Sequence, residues 1–201
     1  MSTTFRCYKS EVLFPVCIRT RNSQMLLKLC VVMLVAVPMA AGCGGGGVTK
    51  RCPSTAMKMF HRPNGKTVCL QVLTTTYGER PINGSDGFCA LNINGSRTFG
   101  IETEDEYNYL ISLIGNIPAD SLPYFTAGRR NHECLGTSCP IESAFHWTDE
   151  ETESNYAFVN KWDPAHPVIA AYELVGLGPN GLVSVGGSAM VRGSVCGLVV
   201  D

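Results

Sequence analysis

The clearest periodic pattern in the chain is a helical one between residues 103 and 115. Apolar residues recur there at the i, i+3, i+4 and i+7 spacing that places side chains on one face of a helix. Thr103 is a typical N-cap residue, and Glu106 three positions later completes a capping-box pattern. Gly115 can end the helix, and Pro118 lies just beyond it. The sequence therefore predicts an amphipathic helix whose apolar face carries Tyr107, Leu110, Ile111 and Ile114.

The other apolar runs of the main body are short and lie between turn residues, which is typical of strands. Together with one strong helix and long connections, they predict an α+β fold. Residues 176–181, Gly-Leu-Gly-Pro-Asn-Gly, match a dinucleotide fingerprint literally, but the required downstream helix and acidic residue are missing. We interpret this segment as a hairpin turn. The predicted strands are 67–73, 168–177, 181–185 and 195–200.

A run of nine apolar residues near the N-terminus, 29–37, has a different character. Lys28 precedes it and small residues follow it, which is the order of a secretory signal, and it is shorter than the roughly 20 residues of a spanning helix. We expect residues 1–42 to be a signal peptide with an N-terminal extension, with Met25 as an alternative start. A retained type II membrane anchor is the alternative.

The Gly-rich residues 43–51 follow this leader and have the composition of a flexible linker. Charge differs on its two sides. Residues 1–42 hold five basic residues and one acidic residue, a net charge of +4, whereas residues 43–201 hold 11 basic and 16 acidic residues, a net charge of −5. An acidic main body argues against nucleic-acid binding, because phosphate contacts need a basic face.

Neither a Gly-x-Ser-x-Gly elbow nor a His-Glu-x-x-His pair occurs, so no enzyme is predicted.

The chain contains ten cysteines, a high number that fits an exported protein. Six lie in the main body, enough for three disulfides; cleavage near Gly42 would leave Cys43 as an odd cysteine able to form an intermolecular bond. The sequons at Asn83 and Asn94 are candidate glycosylation sites, or else polar turns. A zinc cluster at His132 lacks a second ligand pair, so a disulfide-closed loop is favoured there.

Several recognisable segments occur in a fixed order over residues 52–201. They are 52–72, 88–90, 101–106, 124–130, the Phe145-His146-Trp147-Thr148-Asp149 run, Trp162 with Pro167, and 191–197. This order resembles the C-type lectin-like domain, in the secreted multigene form of nematodes. In that family the first three segments, in the same order, are the N-terminal hairpin, the first long-range Cys and the second helix. The next is a Trp-x-x-Gly segment, in which Phe125 stands here for the Trp. The last three are a Phe-x-Trp-Thr-Asp strand, the Trp and cis-Pro of the long loop, and the closing strand.

The resemblance implies a single domain of that fold over residues 52–201 and three disulfides, Cys52–Cys69, Cys89–Cys196 and Cys134–Cys139. Sugar-binding members of the family hold calcium and sugar through a Glu-Pro-Asn or Gln-Pro-Asp triplet and a later Trp-Asn-Asp triplet. Here His166-Pro167-Val168 and Val183-Ser184-Val185 stand in those places. Calcium takes six to eight oxygen ligands, whereas valine offers no side-chain oxygen and imidazole prefers softer metals. We therefore predict no cofactor and no calcium-bridged sugar site of the usual kind.

The candidate ligand contacts lie in two segments. His166, Pro167 and Trp162 belong to the long loop, and Asp149 and Glu151 belong to an acidic segment after Trp147. Each has a purely structural alternative: a surface histidine, a core tryptophan or a solvated acidic loop, with calcium binding as a further possibility for the acids. Arg129 and Arg130 could bind anionic sugars, but pairing with the acidic segment is the favoured interpretation.

The sequence thus predicts a secreted, non-enzymatic recognition module whose ligand surface lies around residues 146–188. The first hypothesis is glycan binding through a divergent, calcium-independent site, with innate defence as the role that the resemblance implies. The second is a protein-binding module that has lost sugar binding. An extracellular glycan or protein is the expected partner; nucleic acid is not, and a membrane is one only if the leader is retained.

Overall fold

The computed structural model describes residues 50–75, 80–81, 85–118, 121–167 and 172–200. The predicted leader (1–42), most of the linker, Met25, Cys43, Asn83 and Val168 lie outside these ranges. The helices are α1 (Ser85–Asn92), α2 (Glu104–Ile114), α3 (Ile141–Ala144) and α4 (Tyr156–Asn160), with a 3₁₀ turn at His132–Cys134. The strands are β1 (Lys58–His61), β2 (Thr67–Thr74), β3 (Arg80–Pro81), β4 (Arg97–Thr98), β5 (Tyr124–Arg130), β6 (Phe145–Trp147), β7 (Leu174–Gly178), β8 (Gly181–Val185), β9 (Met190–Val191) and β10 (Gly193–Val199).

The main sheet has the strand order β1-β2-β10-β5-β7-β8, with β4 beside β10 and β6 beside β5. The last strand, β10, is antiparallel to β2 from Gly193 to Val199 and parallel to β5 at Gly193 and Ser194. The last strand therefore joins the N-terminal β1–β2 hairpin to β5 in the middle of the sheet. The β3–β9 pair forms a separate two-stranded sheet.

Helix α2 follows the predicted pattern at its start and its end. The Thr103 side chain accepts a hydrogen bond from the backbone N–H of Glu106, and Gly115 is the C-cap. The reciprocal half of the capping box does not form, because the Glu106 carboxylate is fully buried and bonds Arg62 and the backbone N–H of Glu102 instead. Leu110 and Ile114 are buried in the core as predicted, whereas Tyr107 and Ile111 are half-buried.

The core lies between α2 and the sheet and continues under the aromatic residues of β6 and α4. Trp147 is buried there, and its ring stacks on Phe158 at a centroid distance of 4.1 Å. The structure forms the disulfides Cys52–Cys69, Cys89–Cys196 and Cys134–Cys139, which are the pairs that the family resemblance implies. The last of these closes the loop after His132, where the disulfide was favoured over zinc.

Two differences from the sequence-based prediction concern element bounds. Helix α1 was not predicted, because it is short, contains Gly87, and buries only Cys89 among its described side chains. Strand β7 begins at Leu174 rather than at 168, and residues 168–171 are outside the described ranges. The Gly-rich hairpin is confirmed, with Gly178 paired to Gly181 across the β7–β8 turn. Within the described residues, no helix is both long enough and apolar enough to cross a membrane.

Candidate binding site on the long loop

The segment after α4 is fastened to the edge strand β8 by backbone hydrogen bonds. Leu182 donates its N–H to the Lys161 carbonyl at 2.7 Å, and Asp163 donates its N–H to the Leu182 carbonyl at 2.9 Å. Gly181 permits this approach, because its φ is +141° and a Cβ there would lie 2.6 Å from the Lys161 oxygen. The Pro179-Asn180-Gly181 turn thus forms the β7–β8 hairpin, and its glycine leaves room for the segment after α4 to pack against β8.

His166 makes the next contact between the loop and β8. Its Nδ1 accepts the backbone N–H of Ser184 at 3.2 Å and lies 3.1 Å from the Ser184 hydroxyl. An outward-facing N–H of an edge strand would otherwise have no strand partner, so the imidazole satisfies it. The peptide between His166 and Pro167 is cis. The two segments that the sequence resemblance aligns with the calcium-binding triplets are therefore in direct contact, through His166 and Ser184.

A cavity of about 220 Å³ lies beside this contact. It is smaller than the roughly 300–1,000 Å³ of typical drug-sized ligand pockets, so it suits one sugar ring or one side chain rather than a large ligand. Its polar lining residues can form hydrogen bonds with a ligand. Its apolar lining residues can pack against the C–H face of a sugar ring or an aliphatic side chain. The lining residues are Ser121, Pro123, Asp163, His166, Gly178, Pro179, Val183, Ser184 and Val185.

The structure divides the five predicted contact residues between separate places. His166 lines the cavity, while Trp162 is half-buried against the core, with its indole N–H donated to the Phe158 carbonyl at 2.6 Å. Pro167 lines a different space of about 70 Å³, together with Arg130. Asp149 and Glu151 line neither of these cavities and belong to the acidic segment.

The acidic segment is solvated only in part: Glu150 and Glu153 are exposed, as expected, whereas Asp149 and Glu151 are held by contacts within the fold. Asp149 is 2% exposed, and its carboxylate accepts hydrogen bonds from the N–H groups of Gly100, Glu151 and Thr152 and from the Thr152 hydroxyl. The Glu151 carboxylate forms ion pairs with Lys66 at 3.1 Å and Arg97 at 3.0 Å. These carboxylates are used within the fold, and the described ranges contain no group of three His, Cys, Asp or Glu side chains that could hold a metal ion.

The favoured pairing of Arg129 and Arg130 with the acidic segment is wrong. The Nε of Arg130 donates to the Tyr172 carbonyl at 3.1 Å, and its guanidinium lies 4.5 Å above the Phe145 ring. Burial lowers the pKa of this guanidinium. The acidic segment instead uses cations from the β1–β2 turn and β4, because antiparallel pairing of β5 with β6 brings Arg130 to Phe145 rather than to the loop beyond β6.

Two polar cavity residues, Ser121 and Asp163, are not among the sequence-predicted contacts. Asp163 follows Trp162 directly, so its place next to a family motif is the one indication in the sequence. In the sequence, Ser184 is only a member of the Val183-Ser184-Val185 segment. Its contact with His166 spans 18 positions and depends on how the long loop folds onto β8.

No family model and no curated protein matches the sequence. Solved structures do match. A calcium-independent type II antifreeze protein aligns with a TM-score of 0.50 at 14% identity, covering 76% of this chain and 97% of that one. The C-type lectin CEL-I from Cucumaria echinata aligns with a TM-score of 0.53 at 13% identity, covering 75% and 99%. Human lithostathine aligns with a TM-score of 0.50 at 17% identity, covering 74% and 91%.

These similarities, with the mixed helices and strands and the three disulfides, show that the domain has the C-type lectin-like fold. At identities of 13–17%, these similarities establish the fold and do not identify a ligand. The expected membership in the nematode multigene form stays a prediction from the sequence motifs.

Proposed function

We propose that this chain is a secreted, non-enzymatic recognition module that binds a glycan without calcium through the cavity between the long loop and β8. The observation that carries the proposal is the His166–Ser184 contact at the wall of that cavity. In sugar-binding members of the family, the same two places supply the oxygens that hold calcium. Here they bond to each other, so any sugar would have to be held by direct hydrogen bonds.

The lining of the cavity supports a hydroxyl-rich ligand. Asp163 and Ser121 offer oxygen atoms, and Val183, Val185 and Pro179 form an apolar wall. A few placed polar groups on a mainly apolar wall is the usual composition of a small-ligand site. Because hydrogen-bonding groups in the lining would be left unpaired by an entirely apolar ligand, they favour a polar one.

The donor set does not fit calcium. At the two triplet positions, the side chains in the cavity lining are the imidazole of His166, the hydroxyl of Ser184 and the two valines next to Ser184 in the chain. Asp163 is the one carboxylate among the described lining residues. Calcium takes six to eight oxygen ligands, several of them carboxylates. A ligand bound here would therefore keep its affinity in a chelator.

The test is a glycan array probed with the full chain secreted from eukaryotic cells, once with calcium and once with a chelator. We expect the same glycans to bind in both conditions and to be lost in His166→Ala. His132→Ala is the matched control, because His132 is exposed and is not among the residues that line the cavity. Loss of binding in chelator would overturn calcium independence, and an array without any bound glycan would overturn glycan binding.

The alternative function is a protein-binding module. It is favoured by the apolar half of the cavity wall, which would accept an aliphatic side chain of a partner, and by Tyr172, which is 37% exposed. A failed glycan array followed by saturable binding of a purified extracellular partner that His166→Ala weakens would support this alternative.

Export is part of the same proposal. The three disulfides support an oxidising compartment, and Asn94 is exposed on a turn in which Ser96 donates its N–H to the Ile93 carbonyl. We expect cleavage near Gly42 and glycans at Asn83 and Asn94. N-terminal sequencing and an endoglycosidase mobility shift test these points; an intact leader would indicate the anchored form, and an unchanged mobility would contradict glycosylation.

A further inference from the structure

We infer that the long-loop cavity selects a cationic amino sugar over neutral and anionic sugars, and that Asp163 is the residue that determines this preference. The inference rests on the proposed glycan-binding function and names its ligand class. Its basis is the charge of the cavity. Among the described lining residues, Asp163 and His166 are the two that can carry charge, and the remainder are Ser, Pro, Gly and Val.

The contact that fastens the loop occupies the Nδ1 of His166. Its Nδ1 accepts the N–H of Ser184, so that nitrogen uses its lone pair and the ring proton lies on Nε2. A doubly protonated imidazole could not accept this hydrogen bond. In the observed arrangement Nδ1 is thus occupied as an acceptor, and Asp163 is the one carboxylate among the described lining residues.

Asp163 lines the cavity, and one oxygen of its carboxylate is used within the loop. Its Oδ1 accepts the N–H of Ala165 at 2.9 Å, while its backbone N–H is bound to the Leu182 carbonyl. The ion pairs among the described residues do not include Asp163, and the nearby Lys161 is paired with Glu104 at 3.0 Å. The second oxygen can thus bond a ligand ammonium without giving up a structural contact.

This arrangement defines the ligand. A half-buried carboxylate attracts a protonated amine and repels the carboxylates and sulfates of acidic sugars, and the net charge of −5 over residues 43–201 acts in the same direction. The Ser121 hydroxyl in the same lining can bond a sugar hydroxyl. A hexosamine with a free amino group carries both chemistries on one ring.

Two oligosaccharides test this directly: a β1,4-linked glucosamine oligomer and an N-acetylglucosamine oligomer of equal length. Their backbones are the same, and they differ in whether the nitrogen is charged. Binding to the full secreted chain is measured by calorimetry at physiological salt, at a pH where the amine is protonated. We expect the free amine to bind roughly tenfold tighter, the size of one charge-assisted hydrogen bond.

Asp163→Asn should bring the two affinities to within about twofold, since the amide oxygen still accepts the Ala165 N–H and only the charge is lost. Glu133→Gln removes one charge at an exposed position outside the cavity lining and should leave the tenfold preference intact. A ratio near one in the wild type, or an unchanged ratio in Asp163→Asn, would overturn the inference while glycan binding stands. If neither oligomer binds and no glycan on the array binds, the proposed glycan-binding function is overturned instead.

Discussion

The guanidinium of Arg62 and the carboxylate of Glu106 form a two-pronged ion pair whose side chains have no exposed surface. Arg62 Nε lies 2.8 Å from Glu106 Oε1, and Arg62 Nη2 lies 3.1 Å from Glu106 Oε2. Arg62 follows β1 and Glu106 lies in α2, so the pair joins the N-terminal hairpin to the helix. Arg62 also donates to the Gly100 carbonyl and the Thr152 hydroxyl, which extends the connection to the acidic segment.

Removing one partner of this pair should be strongly destabilising. Arg62→Met leaves a buried carboxylate without its counter-charge, and we expect a loss of about 3–5 kcal/mol in the free energy of unfolding, measured by urea denaturation. Lys66→Met is the control, because its ion pairs with Glu151 and Glu153 are partly exposed and should contribute much less to the free energy of unfolding. Equal losses in the two variants would contradict the importance of burial.

Asp149 should act as a structural residue and not as a calcium ligand. In Asp149→Asn, an amide group faces the N–H donors that the carboxylate now accepts, so we expect a loss of about 1–3 kcal/mol. We also expect the Tm of the wild type to be unchanged by millimolar calcium. A calcium-dependent rise in Tm that Asp149→Asn abolishes would show instead that the acidic segment binds the ion.

The disulfides should differ in their contribution to stability according to loop length. Cys89 and Cys196 are 107 positions apart, whereas Cys134 and Cys139 are 5 apart. The chain-entropy relation gives about 5 kcal/mol for the long loop and about 2 kcal/mol for the short one. Paired Cys→Ala variants compared by chemical denaturation test this order, and a larger effect from the short loop would contradict it.

Gly193 should tolerate no side chain. A Cβ on this residue would overlap the Leu73 carbonyl oxygen of the adjoining strand, where the backbone cannot move aside without breaking the β2–β10 pairing. We expect Gly193→Ala to destabilise the fold by at least about 1–3 kcal/mol. Gly87→Ala is the matched control: nothing lies within 4 Å of its Cβ position, and it should stabilise α1 by about 0.5–1 kcal/mol. Two variants of equal stability would contradict this contact.

Much of the fold could be predicted because its determinants are local. The 3.6-residue spacing located α2, and Thr103 and Gly115 marked its ends. The Pro179-Asn180-Gly181 turn located the β7–β8 hairpin. By contrast, α1 carries too few buried apolar residues for a periodic pattern, so no local rule indicated it.

The candidate site was only partly predictable. The segment His166–Pro167 could be identified from its resemblance to a family motif, but Asp163 could not. Asp149 and Glu151 lie outside the cavity that His166 lines. Composition shows an acidic run but does not show which carboxylates are enclosed. Asp149 is buried because Gly100, from the segment before α2, supplies an N–H at 2.6 Å.

The sequence by itself determined helix α2 and the hairpins, the even set of main-body cysteines and the residues His166-Pro167-Val168 and Val183-Ser184-Val185, since each depends on residue types at short or fixed spacings. Tertiary structure alone decided the use of the charges. Glu106 pairs with Arg62 across 44 positions, and His166 meets Ser184 across 18. Such contacts depend on how strands and loops pack against one another, and residue spacing along the chain does not specify them.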